Sequence, residues 1–249
     1  MERMMMNLQH EAIVLKLDAY KEADGLVCAY GEEGIFRFFA KGVFKMTSKN
    51  VACVQPFTHA SFQFVMSKGK ESKSLMKGEI LHYHRCLKED LLKNAMANLL
   101  VECLLGLEPI PYLEFLQLLE LLEKSDQPYC VLAFALAILC RVNGVEPYID
   151  GCIICGDLHA IQAFSYKKGG FICHRCLSRD DVIYSKNQLR AIRALFKARL
   201  SQYPLLEQLG NWDLSLCEQL LDFLQYHTGF SAQALKFLKV VDGLKEGKI

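Results

Sequence analysis

No stretch of this chain is apolar for long enough to cross a bilayer. The longest run, YCVLAFALAILC (Tyr129 to Cys140), is twelve residues, whereas a spanning helix needs about 20; it reads as a buried core helix. The start, MERMMMNLQHEAIV, lacks the apolar core of about 7 to 15 residues that a secretory signal carries, so a cytoplasmic protein without a membrane partner is expected. No low-complexity tract and no internal repeat occurs, which argues against a disordered chain or a solenoid. Charge of one sign is also missing: the net charge is +1, so the total says nothing about a polyanionic partner. The Gly-x-x-x-x-Gly-Lys-Ser/Thr phosphate loop is absent, which excludes an ordinary nucleotide-driven motor. GEEG (31–34) lacks the strand-to-helix context of a dinucleotide fingerprint.

What remains is a globular composition, 52% hydrophobic and 23% charged over 249 residues, enough for one large domain or two modest ones. The charge is unevenly placed. Residues 36–80 carry eight Lys/Arg against two Glu, and residues 150–200 carry nine against four Asp. The intervening 81–149 has five basic and nine acidic residues. Two basic segments around an acidic one predict a one-sided electrostatic footprint if the fold brings them together. Of the 11 cysteines, Cys28, Cys53, Cys86, Cys103, Cys130, Cys140 and Cys217 stand singly in apolar surroundings, as buried free thiols do. A reducing compartment follows, where Cys-x-x-Cys pairs signal metal or redox chemistry.

Strand signals fill the first eighty residues: AIVLKL (12–17), LVCAY (26–30), IFRFFAKGV (35–43), FTHASFQFVM (57–66) and KSLMKGEILHY (73–83). GEEG between the second and third marks a tight hairpin. Five short strands with a longer break after the third fit a closed barrel of the OB type, with a small sandwich as the competing arrangement. From residue 84 the apolar spacing becomes helical, over 86–107, 112–124 and 130–142. After the cysteines, Ser185-x-x-Gln188 is a capping box opening a helix through about Tyr203, and 214–227 and 231–241 are two more. The expected fold is α+β: an N-terminal OB-fold barrel (1–83), then an all-α domain (84–249) with a zinc ribbon (150–178) inserted in it.

That insertion, CIICGDLHAIQAFSYKKGGFICHRC, places Cys152, Cys155, Cys173 and Cys176 in two Cys-x-x-Cys knuckles separated by seventeen residues. Each tight knuckle presents two sulfurs, and a hairpin between them brings four thiolates around one tetrahedral ion. One Zn²⁺ is the expected cofactor, with an iron centre or paired redox dithiols as alternatives. Four thiolates close the coordination shell, so the zinc is expected to be structural; His174 is a substitute ligand in principle.

No catalytic constellation emerges, and the chain is not expected to be an enzyme. Glu32/Glu33 and Asp180/Asp181 read as turn charges. His82 and His84 alternate on one strand face, but without a third ligand nearby they read as packed or exposed side chains rather than a metal site. The stronger pattern is IFRFFAKGVFKMTSKN (35–50), which interleaves aromatics with Arg37, Lys41, Lys45 and Lys49. Barrels that hold single strands pair cations for phosphates with aromatic faces for bases. Phe36 and Phe38 share one face with Phe39 on the other, so at least one set fills the barrel. The candidate DNA contacts are Lys16 in the first strand, Arg37, Lys41, Lys45, Lys49, Lys68 and Lys70 in the first basic segment, and Lys167, Lys168 and Arg175 beside the cysteines.

Taken together, Val14-Leu-Lys16, Tyr20-Lys-Glu22-Ala-Asp24, Gly34, Ala40-Lys41-Gly42, Ser48 and Gln55-Pro56-Phe57 resemble the amino-terminal domain of the RecO family of bacterial repair proteins. GVEPYIDGCIICG (144–156) and FSYKKGGFICHRC (164–176) are similar to the zinc-bearing members. Relatives often have further basic residues after Ala-Lys-Gly, where this chain has Val43 and Phe44, and HTGFSAQAL (227–235) matches only loosely.

The resemblance implies a recombination mediator. Such proteins bind single- and double-stranded DNA, anneal complementary strands, and act with RecR to load RecA onto strands coated by single-strand-binding protein. They also engage that coating protein's acidic tail, and the implied location is the bacterial nucleoid. The alternative is an interaction adaptor whose basic surface mainly captures acidic tails of partner proteins.

Overall fold

The computed structural model describes residues 8–66, 72–210 and 212–245. Two compact units account for it: residues 1–90 with 115–123, and 91–114 with 124–249.

The first unit is a closed five-stranded barrel, with β1 (Leu8–Tyr20), β2 (Asp24–Gly31), β3 (Gly34–Ala40), β4 (His59–Met66) and β5 (Lys73–His82) in the order β1-β2-β3-β5-β4. Closure, rather than the sandwich, is the observed solution, and it leaves β1 paired on both sides, to β2 and β4. GEEG makes the tight β2–β3 hairpin, with Gly31 opposite Gly34 and Gly34 at φ 105°, a region that a side chain would strain. All ladders are antiparallel except β3–β5, a parallel contact registered at Phe39↔Ser74. Phe38, Phe62 and Phe64 fill the interior with Val14, Val27, Ala29 and Val54, and Phe38 lies 5.1 Å from Phe62 and 4.9 Å from Phe64, ring to ring. Each such phenyl contributes about 2–3 kcal/mol of apolar burial.

After the barrel, helical spacing begins at residue 85, but the expected helix over 86–107 is two: α1 (Arg85–Glu89) and α2 (Leu91–Gly106). Asp90 between them is extended at ψ 115°, a position where a short polar side chain competes with helix. The helix α3 (Tyr112–Lys124) has the expected bounds; its residues 115–123 cluster with the barrel, where Phe115 meets Tyr30.

In the second unit, every residue of α4 (Pro128–Val142) from Cys130 to Cys140 is buried. That explains an apolar run with no polar face. Pro128 opens α4, and Gly144 at φ 68° closes it as Gly144 N donates to Arg141 O and Val145 N to Cys140 O, a Schellman ending. The cysteine hairpin follows as β6 (Ile161–Ser165) and β7 (Gly170–Cys173). The helix α5 (Lys186–Lys197) starts at the expected Ser185–Gln188 capping box but stops six residues before Tyr203. Pro204 is tolerated only in a first turn, so the chain extends at Ala198 and Arg199 and restarts as a 3-10 turn (Leu200–Gln202) and α6 (Tyr203–Glu207). α7 (Leu214–Thr228) and α8 (Ala234–Lys245) complete the described chain. Among the described residues no helix is long and apolar enough to cross a membrane.

Candidate metal centre and nucleic-acid interface

The four sulfurs of Cys152, Cys155, Cys173 and Cys176 converge within 4.8 Å of one another, with Cys155 Sγ 3.6 Å from Cys173 Sγ. Metal–sulfur bonds of about 2.3 Å in a tetrahedron place sulfurs about 3.8 Å apart, so the residues fit a four-thiolate ion. His174 is exposed and outside the converging set.

The backbone makes this geometry locally. In the first knuckle Cys152 N donates to Asp157 O and Gly156 N to Cys152 O, both at 2.8 Å, with Gly156 at φ 75°. In the second, Cys176 N donates to Cys173 O at 3.0 Å. Ile153 N to Phe171 O ties the first knuckle to β7. A parallel bridge joins Tyr148 to Gly170, where an added Cβ would sit 2.3 Å from Tyr148 O. Burial alone would raise the Cys152 thiol, but hydrogen bonds from the amides of Cys173, Cys155 and Ile154 draw it below the ordinary thiol range, while the neighbouring sulfurs push Cys176 up. The cluster therefore favours a proton shared among its sulfurs, which a bound metal ion would displace.

The cations beside this centre differ in availability. Lys167 is exposed over the Tyr166 ring. Lys168 is paired with Asp181 at 2.7 Å, and Arg175 with Asp157 at 2.6 Å. Burial acts to raise Asp181, but the ammonium of Lys168 and hydrogen bonds from Ser178 and Ser165 bring it down to about 2.

On the barrel, Lys16, Arg37, Lys41, Lys45 and Lys49 are all exposed; Lys68 and Lys70 lie outside the described residues. Register pairs Lys16 with Cys28 and Cys28 with Arg37, so the two cations flank one buried thiol in a row across three strands. Burial raises that thiol, and the hydrogen bond and charge of Arg37 and the charge of Lys16 partly oppose the rise.

The three loop lysines ride on a succession of turns after β3, held from beneath. Val43, Cys53, Val54 and Phe57 are buried in the barrel. Gly42 N donates to Asp24 Oδ1 at 2.7 Å, Phe44 N to Ala23 O at 3.0 Å, and Gly78 N to Asn50 Oδ1 at 3.2 Å. Lys41, Lys45 and Lys49 thus project from an anchored loop, not a free one.

Sequence profiles give the same order of parts. The family described as "Recombination protein O N terminal" matches residues 5–84, and "Recombination protein O C terminal" matches 89–234. The chain belongs to the RecO family. It is 33% identical to the DNA repair protein RecO of Syntrophomonas wolfei over 206 residues, 79% of this chain and 81% of that one. It is 30% identical to that of Bacillus pumilus over 254 aligned positions, 97% of each chain. It is 29% identical to that of Listeria monocytogenes strain CLIP80459 over 248, 93% of this chain and 94% of that one.

Several features of this RecO-family chain escape its sequence. Phe44 is 46% exposed and Met46 fully exposed among the loop lysines, whereas Val43 beside them is buried. Phe36 and Phe38 are packed in the core, and Phe39 lies against Tyr20 with ring centres 5.0 Å apart. Only the turn after Gly42, invisible to strand periodicity, decides which of Val43 and Phe44 faces out. Cys86, expected to be buried, is exposed; it follows the barrel in the five-residue α1, whose buried side is taken by Leu87.

Proposed function

We propose that this chain is a DNA repair protein of homologous recombination that binds single- and double-stranded DNA and anneals complementary strands. With RecR it helps load RecA onto strands coated by single-strand-binding protein. The observation that carries this reading is the paired RecO profile match over 5–84 and 89–234, in chain order. The exposed cations on the anchored loop support it, with Phe44 and Met46 among them offering apolar surface to bases. Annealing needs a cationic surface that offsets repulsion between two phosphate backbones without locking the bases. The activity is non-covalent, needs no nucleotide, and is exerted at the nucleoid.

The cysteine centre carries one Zn²⁺ held by Cys152, Cys155, Cys173 and Cys176, which acts as a structural cross-link. For the acidic tail of single-strand-binding protein, a cleft of about 160 Å³ is the candidate seat; Leu158, Ile161 and Phe171 meet Lys186, Arg190 and Arg193 there. It combines an apolar floor with cations, as an acidic-apolar peptide end requires.

A fluorescence annealing assay with complementary oligonucleotides, with and without single-strand-binding protein and RecR, tests the reading. Acceleration in at least one combination is expected; none in any combination overturns it. Annealing that survives Lys41→Glu with Lys45→Glu while partner binding is lost would favour the adaptor reading instead.

A further inference from the structure

His82 and His84 acquire in the structure the third ligand their sequence context lacks. Glu123, 39 residues beyond His84 and in α3, belongs to the same compact unit. Its Oε2 lies 2.7 Å from His82 Nε2 and 3.0 Å from His84 Nδ1. The other oxygen, Oε1, accepts from Cys86 N at 3.2 Å, so Oε2 is presented to the two rings. The imidazoles meet edge to face with centres 4.1 Å apart. Among the described residues, this group and the four cysteines are the two places where three or more such ligand atoms converge.

We propose that His82, His84 and Glu123 form a second metal site, for a borderline divalent ion of the zinc class. Two imidazoles and a carboxylate suit such ions and leave at least one coordination position open. Bonds of about 2.0–2.1 Å to an ion set neighbouring ligand atoms about 3.3 Å apart; the contacts of His84 and His82 to Oε2, at 3.0 and 2.7 Å, are shorter than that and would open by about 0.3 and 0.6 Å. Small side-chain rotations suffice to admit the ion. The ring protons now facing Glu123 move to the opposite nitrogens, so neutral imidazoles bind without changing their net charge.

The surroundings favour the same assignment. His84 is 2% exposed and Glu123 12%, whereas His82 is 45% exposed. Two ligands are therefore fixed by packing and the third stands at the entrance. Register places His59 opposite His82, adding another imidazole beside the group. The nearby cation, Lys88, is committed to Thr58 Oγ1 at 3.1 Å and Tyr83 O at 2.5 Å. An ion here would link the end of β5 to α3 within the barrel unit, apart from the thiolate centre.

The test is equilibrium dialysis of the full chain against Zn²⁺ with elemental analysis, beside Co²⁺ titration followed by absorption. Thiolate-to-cobalt charge transfer reports the cysteine site, and weak visible bands without it report the imidazole site. Two equivalents are expected. His82→Ala and Glu123→Gln should each weaken the second by at least about tenfold while leaving the charge-transfer signal intact. His82 is at the surface, and the side-chain carbonyl that Glu123→Gln retains can still accept from the Cys86 amide, so both variants should keep the fold; circular dichroism checks this. Zinc should raise the melting temperature of the dialysed wild type more than that of His82→Ala. A single equivalent, or a second one that both variants leave unchanged, overturns the site.

Discussion

Lys168 donates to Asp181 Oδ2 across 2.7 Å, and the same oxygen accepts from the amide and the hydroxyl of Ser178 at 2.8 and 2.9 Å. An ammonium held so closely to a carboxylate brings little net charge to a phosphate, whereas Lys41 and Lys45 stand exposed on their loop. Lys41→Ala with Lys45→Ala should lower single-strand affinity severalfold. It should also flatten the plot of log affinity against log salt by about 2. Lys168→Ala should leave that slope nearly unchanged and instead lower thermal stability. Fluorescence anisotropy over a salt series separates the two.

Thiol reactivity should follow burial. Burial raises Cys53 to about 11 and Cys103, Cys130 and Cys140 to about 12, so these react slowly. In the metal-loaded chain a thiol reagent should show one fast equivalent, from Cys86, which Cys86→Ser removes. Chelation should add a further fast thiol from exposed Cys155, and circular dichroism should record loss of ordered structure. Unchanged kinetics after chelation would contradict a metal-held centre.

Lys88 gives the barrel unit a pH signature. Burial lowers its ammonium from 10.5 to about 8, with Glu123 pulling in the opposite direction. The unfolded chain therefore binds more protons between about 8 and 10.5, and stability rises with pH across that window. Compared with Lys88→Met, the wild type should gain about 1 kcal/mol from pH 8 to 10.5, after allowing for solvent screening. Urea melts at matched pH measure the difference; a flat difference would mean that the folded ammonium keeps its ordinary affinity for the proton.

Gly170→Ala should be among the most damaging single-carbon changes in the cysteine hairpin. Its Cβ would lie 2.3 Å from the Tyr148 carbonyl oxygen, which is backbone and already accepts from Phe171 N. Separation of the two strands should cost about 2 kcal/mol or more and lower metal retention, read by melting temperature and elemental analysis. Gly144→Ala, at positive φ but with open space around it, should cost less, about 1 kcal/mol.

Short runs rich in aliphatic and aromatic residues, bounded by turns, located all five barrel strands, and the Cys-x-x-Cys spacing singled out the four converging sulfurs, because both signals are local. The closed order β1-β2-β3-β5-β4 required choosing between barrel and sandwich, which strand spacing alone leaves open. Long-range partners were illegible for the same reason. Nothing near His82 announces Glu123, Lys168 does not reveal its tie to Asp181, and the apolar pattern of α3 does not say that residues 115–123 join the barrel. Helix ends were harder than helix interiors: Asp90 and Pro204 act through backbone angles rather than through periodicity.

A ring of strands is only as closed as its weakest join. β1 and β2 share eight registered pairs, whereas β3 and β5 share one, Phe39 with Ser74, and in parallel. The ring can therefore part there and become a curved five-stranded ribbon with every antiparallel ladder intact. Backbone amides along that join should exchange with deuterium through a local opening far cheaper than global unfolding, and the momentary edge on one side is the strand that carries Arg37.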